Sequence, residues 1–316
     1  MKILCIGEAL IDMICTDKGR ALSDGDHFLK KAGGAPTNVA AAIAALGGEA
    51  DLAAKVGIDP FGKHLIDVME AFKVNTRWVW RDTQSFTTFA FVSLMENGER
   101  DFYFNRGADS QLSKTEVAGI PLHEYSIVHF GSATAFLPGP LQEAYTYLLD
   151  QAIAKGCFVS FDPNYRHLLY KDCIPSFKEQ SWHFLNTCHF FKVSDEEAIL
   201  LTDAADVTAA AAIFRQRTKA RFAITLGKEG TLLGSPDGTM IIPSIPITPV
   251  DTTGAGDAFV GALLYQLSKY SNTERNELTI ADWQRMIINS NKAGARTCEY
   301  LGAMEAFKHL SNDIFS

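Results

Sequence analysis

The chain has 316 residues, 47% of them hydrophobic and 21% charged, and a formal net charge of -8 at pH 7. That balance is ordinary for a globular protein and argues against a general nucleic-acid or acidic-membrane surface. No uninterrupted apolar segment is long enough to cross a bilayer, and the apolar run 3–14 is broken by Glu8 and Asp12 and lacks a basic leader region.

Residues 2–6 read as a short buried strand running into Gly7-Glu8. Asp12 then interrupts an apolar alternation over 10–14; it is either a surface residue on a half-exposed strand or a carboxylate facing a cleft. The run Gly33-Gly34-Ala35-Pro36-Thr37-Asn38 opens a helix, with Pro36 in the first turn and Val39, Ile43 and Leu46 on one face. The glycine pair lets a ligand approach bare backbone, and Asn38 can both donate and accept one turn later. Residues 52–56 form another strand. Gly57 to Lys63 has the glycine and lysine spacing of a P-loop, but His64 stands where Ser or Thr should hold magnesium, and Asp59 would put negative charge in the cradle. The P-loop reading is rejected.

Two apolar runs, 87–95 and 100–104, flank Glu96-Asn97-Gly98-Glu99, a hairpin turn signal. Both faces of the first run are apolar, which implies a small β-sheet projecting over a cleft and pairing with a second subunit. Beyond it, strands at 126–130 and 157–161 alternate with a helical run at 141–154, the rhythm of βαβ units in a parallel sheet. Asp162, Asn164 and Arg166 follow the end of one such strand, where ligands of open α/β sheets bind. A strand at 190–193 delivers Ser194 to Glu197, one at 222–226 leads into Gly227 to Gly230, and 231–234 with 239–243 read as a hairpin. The six cysteines are scattered, with no C-x-x-C pair, which suits a reducing cytoplasm, and no ligand cluster has zinc spacing.

The stretch Asp251-Thr252-Thr253-Gly254-Ala255-Gly256-Asp257 opens directly into an apolar helical run. Its glycines allow a tight turn that presents N–H groups at a helix N-terminus, which favours an anion. Asp257 sits at the mouth of the same helix. Taken alone, it could equally be a first-turn carboxylate. The helix end favours its ionised form, which predicts a modest base.

In this order and separation, Gly33-Gly34-Ala35 with Asn38, the segment 57–62, Asp162-Pro163-Asn164 with Arg166, Thr225-Leu226-Gly227 and the segment 251–257 resemble the ribokinase-like (pfkB) family of carbohydrate kinases. Within the family the chain is most similar to fructokinases, on 90–92, 98–100, Arg106 with Ala108-Asp109, and the run Lys192 to Glu197. The resemblance implies one domain over 1–316: a three-layer α/β/α fold with a mainly parallel central sheet and a small β-sheet lid inserted from about 10–30 and 86–106. It implies ATP, Mg2+ and transfer of a phosphoryl group to a sugar, D-fructose at its 6-hydroxyl. Asp257 matches the family's base, and Gly254, Ala255 and Gly256 its anion hole. Asp12, Gly33, Gly34, Asn38, Arg106, Asp162 and Arg166 match sugar-holding positions, with Asp257 beside them. Lys192, Ser194, Thr225, Gly227, Gly230 and Asn291, with Gly254 and Gly256, match nucleotide positions. Glu197 ends a magnesium-associated motif, acting through water, and Ser194 replaces its usual Asn. Asp251 and Thr253 match part of a potassium site whose other ligands are backbone carbonyls within 297–302. The expected partners are sugar, ATP and a second copy through the lid, with no nucleic acid and no membrane.

Three alternatives differ in their requirements. A 2-keto-3-deoxygluconate kinase shares the fold. A nicotinamide dehydrogenase would need G-x-G-x-x-G, which Gly7-Glu8-Ala9 lacks and Phe259 blocks after Gly254-Ala255-Gly256. A non-catalytic sugar sensor predicts a degraded catalytic loop, whereas Asp257 and its glycines are present.

Overall fold

The strand β1 (Lys2–Ile6) is apolar after its first residue because both of its faces are covered. Ile3 and Cys5 join the core on one side of a large sheet, and Leu4 and Ile6 join the core on the other. The computed structural model describes residues 1–95 and 100–315. The remaining strands are β2 (Leu10–Cys15), β3 (Phe28–Gly33), β4 (Ala50–Gly57), β5 (Asn75–Asp82), β6 (Phe89–Leu94), β7 (Arg100–Asn105), β8 (Tyr125–Phe130), β9 (Phe158–Phe161), β10 (Phe190–Ser194), β11 (Arg221–Thr225), β12 (Thr231–Ser235) and β13 (Gly238–Ile242).

The large sheet runs β13-β12-β11-β10-β9-β8-β1-β4-β5. From β11 to β5 its neighbours are parallel, and only the β11-β12 and β12-β13 pairs are antiparallel. Helices Ala35–Ala45, Ala255–Leu267 and Ile280–Thr297 cover the Ile3 face, and Pro140–Ala154, Ile174–Thr187 and Val207–Arg217 cover the other. The chain is therefore the expected three-layer α/β/α body with a mainly parallel sheet. β5 has no counterpart in the sequence reading: it is an edge strand whose Trp78 and Trp80 pack on the second core and Val79 on the first, while Asn75, Arg77 and Arg81 are exposed.

A second sheet of four strands, ordered β3-β2-β6-β7, stands apart from the first. β2 pairs with β3 antiparallel and with β6 parallel, placing Asp12 beside Lys31 and Ala90, and Ile14 beside Leu29 and Val92. The turn expected at 96–99 lies outside the described residues. Because β3 runs to Gly33, the glycine pair begins inside this small sheet.

The segment resembling a P-loop is occupied by its own carboxylate. Asp59 caps the helix Pro60–Ala71, accepting from the N–H groups of Phe61 (2.9 Å) and Gly62 (2.8 Å) with one oxygen and from Thr87 N–H (2.7 Å) with the other. These bonds outweigh the burial that opposes ionisation and leave the Asp59 pKa lowered. The donors a phosphate would need are already satisfied.

Candidate active site

Segments leaving the carboxyl edge of the parallel sheet supply the polar groups of one cleft, as expected for an open α/β sheet. Asp162 follows β9 and is buried; its carboxylate accepts from Lys192 Nζ of β10 at 3.1 Å and from Asn164 N–H at 3.2 Å. Burial works against the Lys192 charge, but Asp162, Glu197 and Asp257 together outweigh it and hold the pKa above the ordinary lysine value. A Cβ added at Gly256 would lie 3.1 Å from Lys192 Nζ, so the ammonium stands directly against the glycine turn.

That turn starts the helix Ala255–Leu267. Gly254 is its N-cap with φ of 81°, and a Cβ there would meet the Ala303 side chain at 2.4 Å. Both facts require glycine. The helix packs along Ala35–Ala45: a Cβ on Gly261 would come within 2.7 Å of the Ala42 Cβ. One turn earlier on both helices, Asn38 Nδ2 donates to Asp257 Oδ2 at 2.8 Å. The two helices therefore run parallel, with both N-termini at the cleft. Burial pushes the Asp257 carboxyl up to about 6, against the Asn38 hydrogen bond; Asp162 adds to the rise, and Lys192 and Arg166 oppose it. This corrects the expectation of a carboxylate held low by the helix end, because desolvation is the larger effect here. Asn38 Oδ1 is buried with no hydrogen-bond partner among the described residues.

Asp12 lies on the wall formed by β2 and β3. Its carboxylate occupies the space beside Gly33, where a Cβ would come within 2.1 Å of Oδ2, and Gly34, with φ of 106°, turns close over the Glu8 carbonyl. Burial lifts the Asp12 carboxyl to about 7, with the Arg166 charge pulling it down. Arg166 is exposed, and its charge acts on both Asp12 and Asp257. Arg106 is held differently. Its guanidinium donates to the carbonyls of Pro138 (2.9 Å) and Thr134 (3.1 Å) and reaches Asp109 at 3.4 Å.

The expected nucleotide positions divide in two. Thr225 ends β11, and Gly227, with φ of 57°, has open space where a side chain would stand. Gly230 turns back against β13, a Cβ there lying 2.2 Å from the Ile242 carbonyl. Asn291, by contrast, is engaged internally: it accepts from Thr231 Oγ1 at 2.7 Å and donates to the carbonyls of Ile242 and Pro243, tying its helix to the end of β13. Ser194 and Glu197 form a reciprocal cap on the helix Asp195–Thr202, and the second Glu197 oxygen accepts from Tyr165 N–H at 2.7 Å. Ser194 thus does the capping work open to an Asn there. Asp251 accepts from Thr253 N–H and Oγ1 with one oxygen and from Gly302 N–H with the other, while Asp251 N–H donates to the Cys298 carbonyl. The segments 251–253 and 298–302 are therefore adjacent.

Glu8 escaped the sequence reading as a site residue. Its carboxylate accepts from the N–H groups of Ala35 (3.0 Å) and Ala133 (3.3 Å) and from Ser132 Oγ. The available signal was a charge inside an apolar run, which alone does not distinguish a buried anchor from a surface residue.

Taken together, a carboxyl with a raised pKa, a glycine turn at a helix N-terminus and a buried ammonium can remove a proton and stabilise an anion in the same place. A family model described as pfkB family carbohydrate kinase matches residues 1–309. Fructokinase-2 of Oryza sativa subsp. japonica is 34% identical over 310 residues, spanning 96% of this chain and 90% of its own. Among solved structures, a fructokinase with bound ATP from Xylella fastidiosa superposes with a TM-score of 0.87 at 28% identity, covering 99% of this chain and 96% of that one. A double-mutant fructokinase from Vibrio cholerae O395, in a fructose, ADP and potassium ion bound form, gives 0.83 at 27% identity, covering 99% and 96%.

Proposed function

The chain belongs to the pfkB family of carbohydrate kinases, and from that premise we propose that it is a fructokinase, transferring the γ-phosphoryl group of ATP to the 6-hydroxyl of D-fructose with Asp257 as general base. The observation that carries the chemistry is the adjacency of Asp257, hydrogen-bonded to Asn38, and the Gly256 turn backed by Lys192. The choice of fructose is supported by relatives such as the rice fructokinase, not by a residue that reads the sugar.

Bound ATP with Mg2+ would supply the phosphoryl group and a metal charge beside it. The cleft fits both. The Gly254 to Gly256 backbone and Lys192 suit phosphate oxygens, and the unpartnered Asn38 Oδ1 suits a hydroxyl donor. Among the described residues no group of three or more His, Cys, Asp or Glu is arranged to hold a metal, which suits a magnesium ion bound largely by phosphates and water. Glu197 has both oxygens committed to backbone N–H groups and would reach such an ion through water.

In this reading Asn38 orients the Asp257 carboxylate, which takes the proton from the sugar hydroxyl as that oxygen bonds to phosphorus. Backbone N–H groups at the glycine turn and the Lys192 ammonium stabilise charge on the transferring group. Asp12 accepts from sugar hydroxyls, and Arg166 offsets its charge. The sheet of β2, β3, β6 and β7 serves as lid, and its Asp12 face continues outward through Ile14 (38% exposed), Leu29 (39%) and Leu94 (60%). That apolar continuation supports a dimer formed lid to lid.

A coupled ADP-release assay across fructose, 2-keto-3-deoxygluconate, ribose and fructose phosphates tests the substrate. Fructose is expected to give the highest kcat/KM; a clear preference for any of the others overturns the fructokinase reading. Run in potassium and then in a bulky organic cation, the same assay tests the site at Asp251 and Thr253. Potassium is expected to raise the rate, and equal rates in the two salts would remove the cation from the proposal.

A further inference from the structure

The chain passes between the large sheet and the small one four times, and one buried polar network touches every crossing. Glu8 lies between β1 and β2, and its carboxylate accepts from Ala35 N–H, just beyond β3. Its backbone carbonyl accepts from Thr37 Oγ1 at 3.0 Å. On the body side, Ser132 Oγ bonds Glu8 and lies 3.4 Å from Thr134 Oγ1, which donates to Asp109 at 2.8 Å. Asp109 follows β7 and also accepts from Thr88 Oγ1, just before β6; Thr88 Oγ1 in turn accepts from Gly107 N–H at 2.9 Å. The guanidinium of Arg106 closes the far end, bonded to Asp109 and the Thr134 carbonyl. Glu8, Thr88, Asp109, Ser132 and Thr134 are all buried.

We propose that Glu8 and Asp109 are positioning residues for the sugar subsite, acting through the Ser132 and Thr134 hydroxyls to fix Arg106, the Gly33-Gly34 turn and the lid crossings relative to one another. The inference rests on the sugar-kinase reading of the cleft. Two buried carboxyls joined by hydroxyls cost desolvation that an apolar filling would avoid, and the two ends of the network bond segments bearing candidate sugar residues: Glu8 holds Ala35 N–H beside Gly33-Gly34, and Asp109 and the Thr134 carbonyl hold Arg106. Burial lifts the Glu8 carboxyl to about 7, opposed by its bonds from Ser132 and Ala35. A glutamine there keeps an acceptor for the two N–H groups and gains a donor toward Ser132, so it reproduces the neutral form.

The test compares Thr134→Val, Glu8→Ala and Glu8→Gln, with Asp12→Asn as control, reading KM for sugar, KM for ATP, kcat and the unfolding midpoint. Thr134→Val keeps side-chain volume and backbone while cutting the bridge, so it reports even where Glu8→Ala does not fold. Losing one charge-assisted hydrogen bond predicts a rise of about tenfold in sugar KM for Thr134→Val, with ATP KM within about twofold, and recovery to near the parent value in Glu8→Gln. An unchanged sugar KM in Thr134→Val, or equal shifts in both KM values, overturns the positioning role and leaves a purely structural network. If Asp12→Asn also leaves sugar KM unchanged, the sugar-site reading itself fails; if Asp12→Asn alone raises it, only the network inference falls.

Discussion

Asp257→Asn is expected to fold like the parent and to lose about 10²–10⁴-fold in kcat, the range attached to a positioned general base. The substitution preserves volume and leaves the glycine turn, Lys192 and the packing of the helix Ala255–Leu267 untouched, so the unfolding midpoint should move little. What disappears is the acceptor for the hydroxyl proton. The pH dependence follows from the same group. As the proposed base Asp257 would work ionised, and burial raises its carboxyl to about 6. The parent kcat/KM should therefore fall as pH drops through about 6, because protonation removes the base. Asp12, raised to about 7, contributes to the same acid limb, so the diagnostic is the difference between enzymes: the residual activity of Asp257→Asn should lack the component near 6. A variant with near-parental turnover sinks the assignment of Asp257 as base.

Lys192→Met is expected to damage stability and turnover together, by separable routes. The ammonium and the Asp162 carboxylate form a buried ion pair at 3.1 Å. Removing one partner leaves the other charge uncompensated, which typically costs about 3–5 kcal/mol in urea unfolding. Turnover should fall about a hundredfold or more if the ammonium stabilises the transferring phosphoryl group beside Gly256. The double variant Lys192→Met with Asp162→Asn separates the two effects. The amide oxygen can still accept from Asn164 N–H, and the uncompensated Asp162 charge is gone, so most of the stability should return while turnover stays low. Recovery of turnover along with stability would show that Lys192 acts only as a structural counter-ion.

Much of the body was legible from the chain because parallel strands buried on both faces leave continuous apolar runs, as in 2–6, 126–130 and 190–193. β5 was not: an edge strand whose apolar residues are interrupted by the exposed Asn75, Arg77 and Arg81 carries no such run, and its Trp78 and Trp80 reveal their role only once the second core is present. In the cleft, the glycine turn and the Asp257 carboxyl could be located from spacing, but the sense of the Asp257 pKa could not. The helix end is a local feature, whereas desolvation depends on how the Asn38, Asp162 and Lys192 segments close around the carboxyl. Asn291 shows the opposite limit. Its sequence position suggested a nucleotide contact, yet its amide is engaged by Thr231 and two carbonyls at the end of β13, partners 48 to 60 residues away. Glu8 stayed hidden for a related reason, since its meaning depends on Ser132, 124 residues on.

The seam between Gly261 and Ala42 carries a consequence beyond packing. Two small residues set how far apart the helices sit, and one turn away that separation becomes the reach from Asn38 to Asp257. On the mechanism proposed above, the spacing between base and orienting amide is thus calibrated from this helix seam. A library confined to cleft-lining residues would omit Gly261, although graded bulk there would shift the distance between base and orienting amide without altering any reactive group. The seam is a mechanical adjustment of reactivity, built from the absence of side chain.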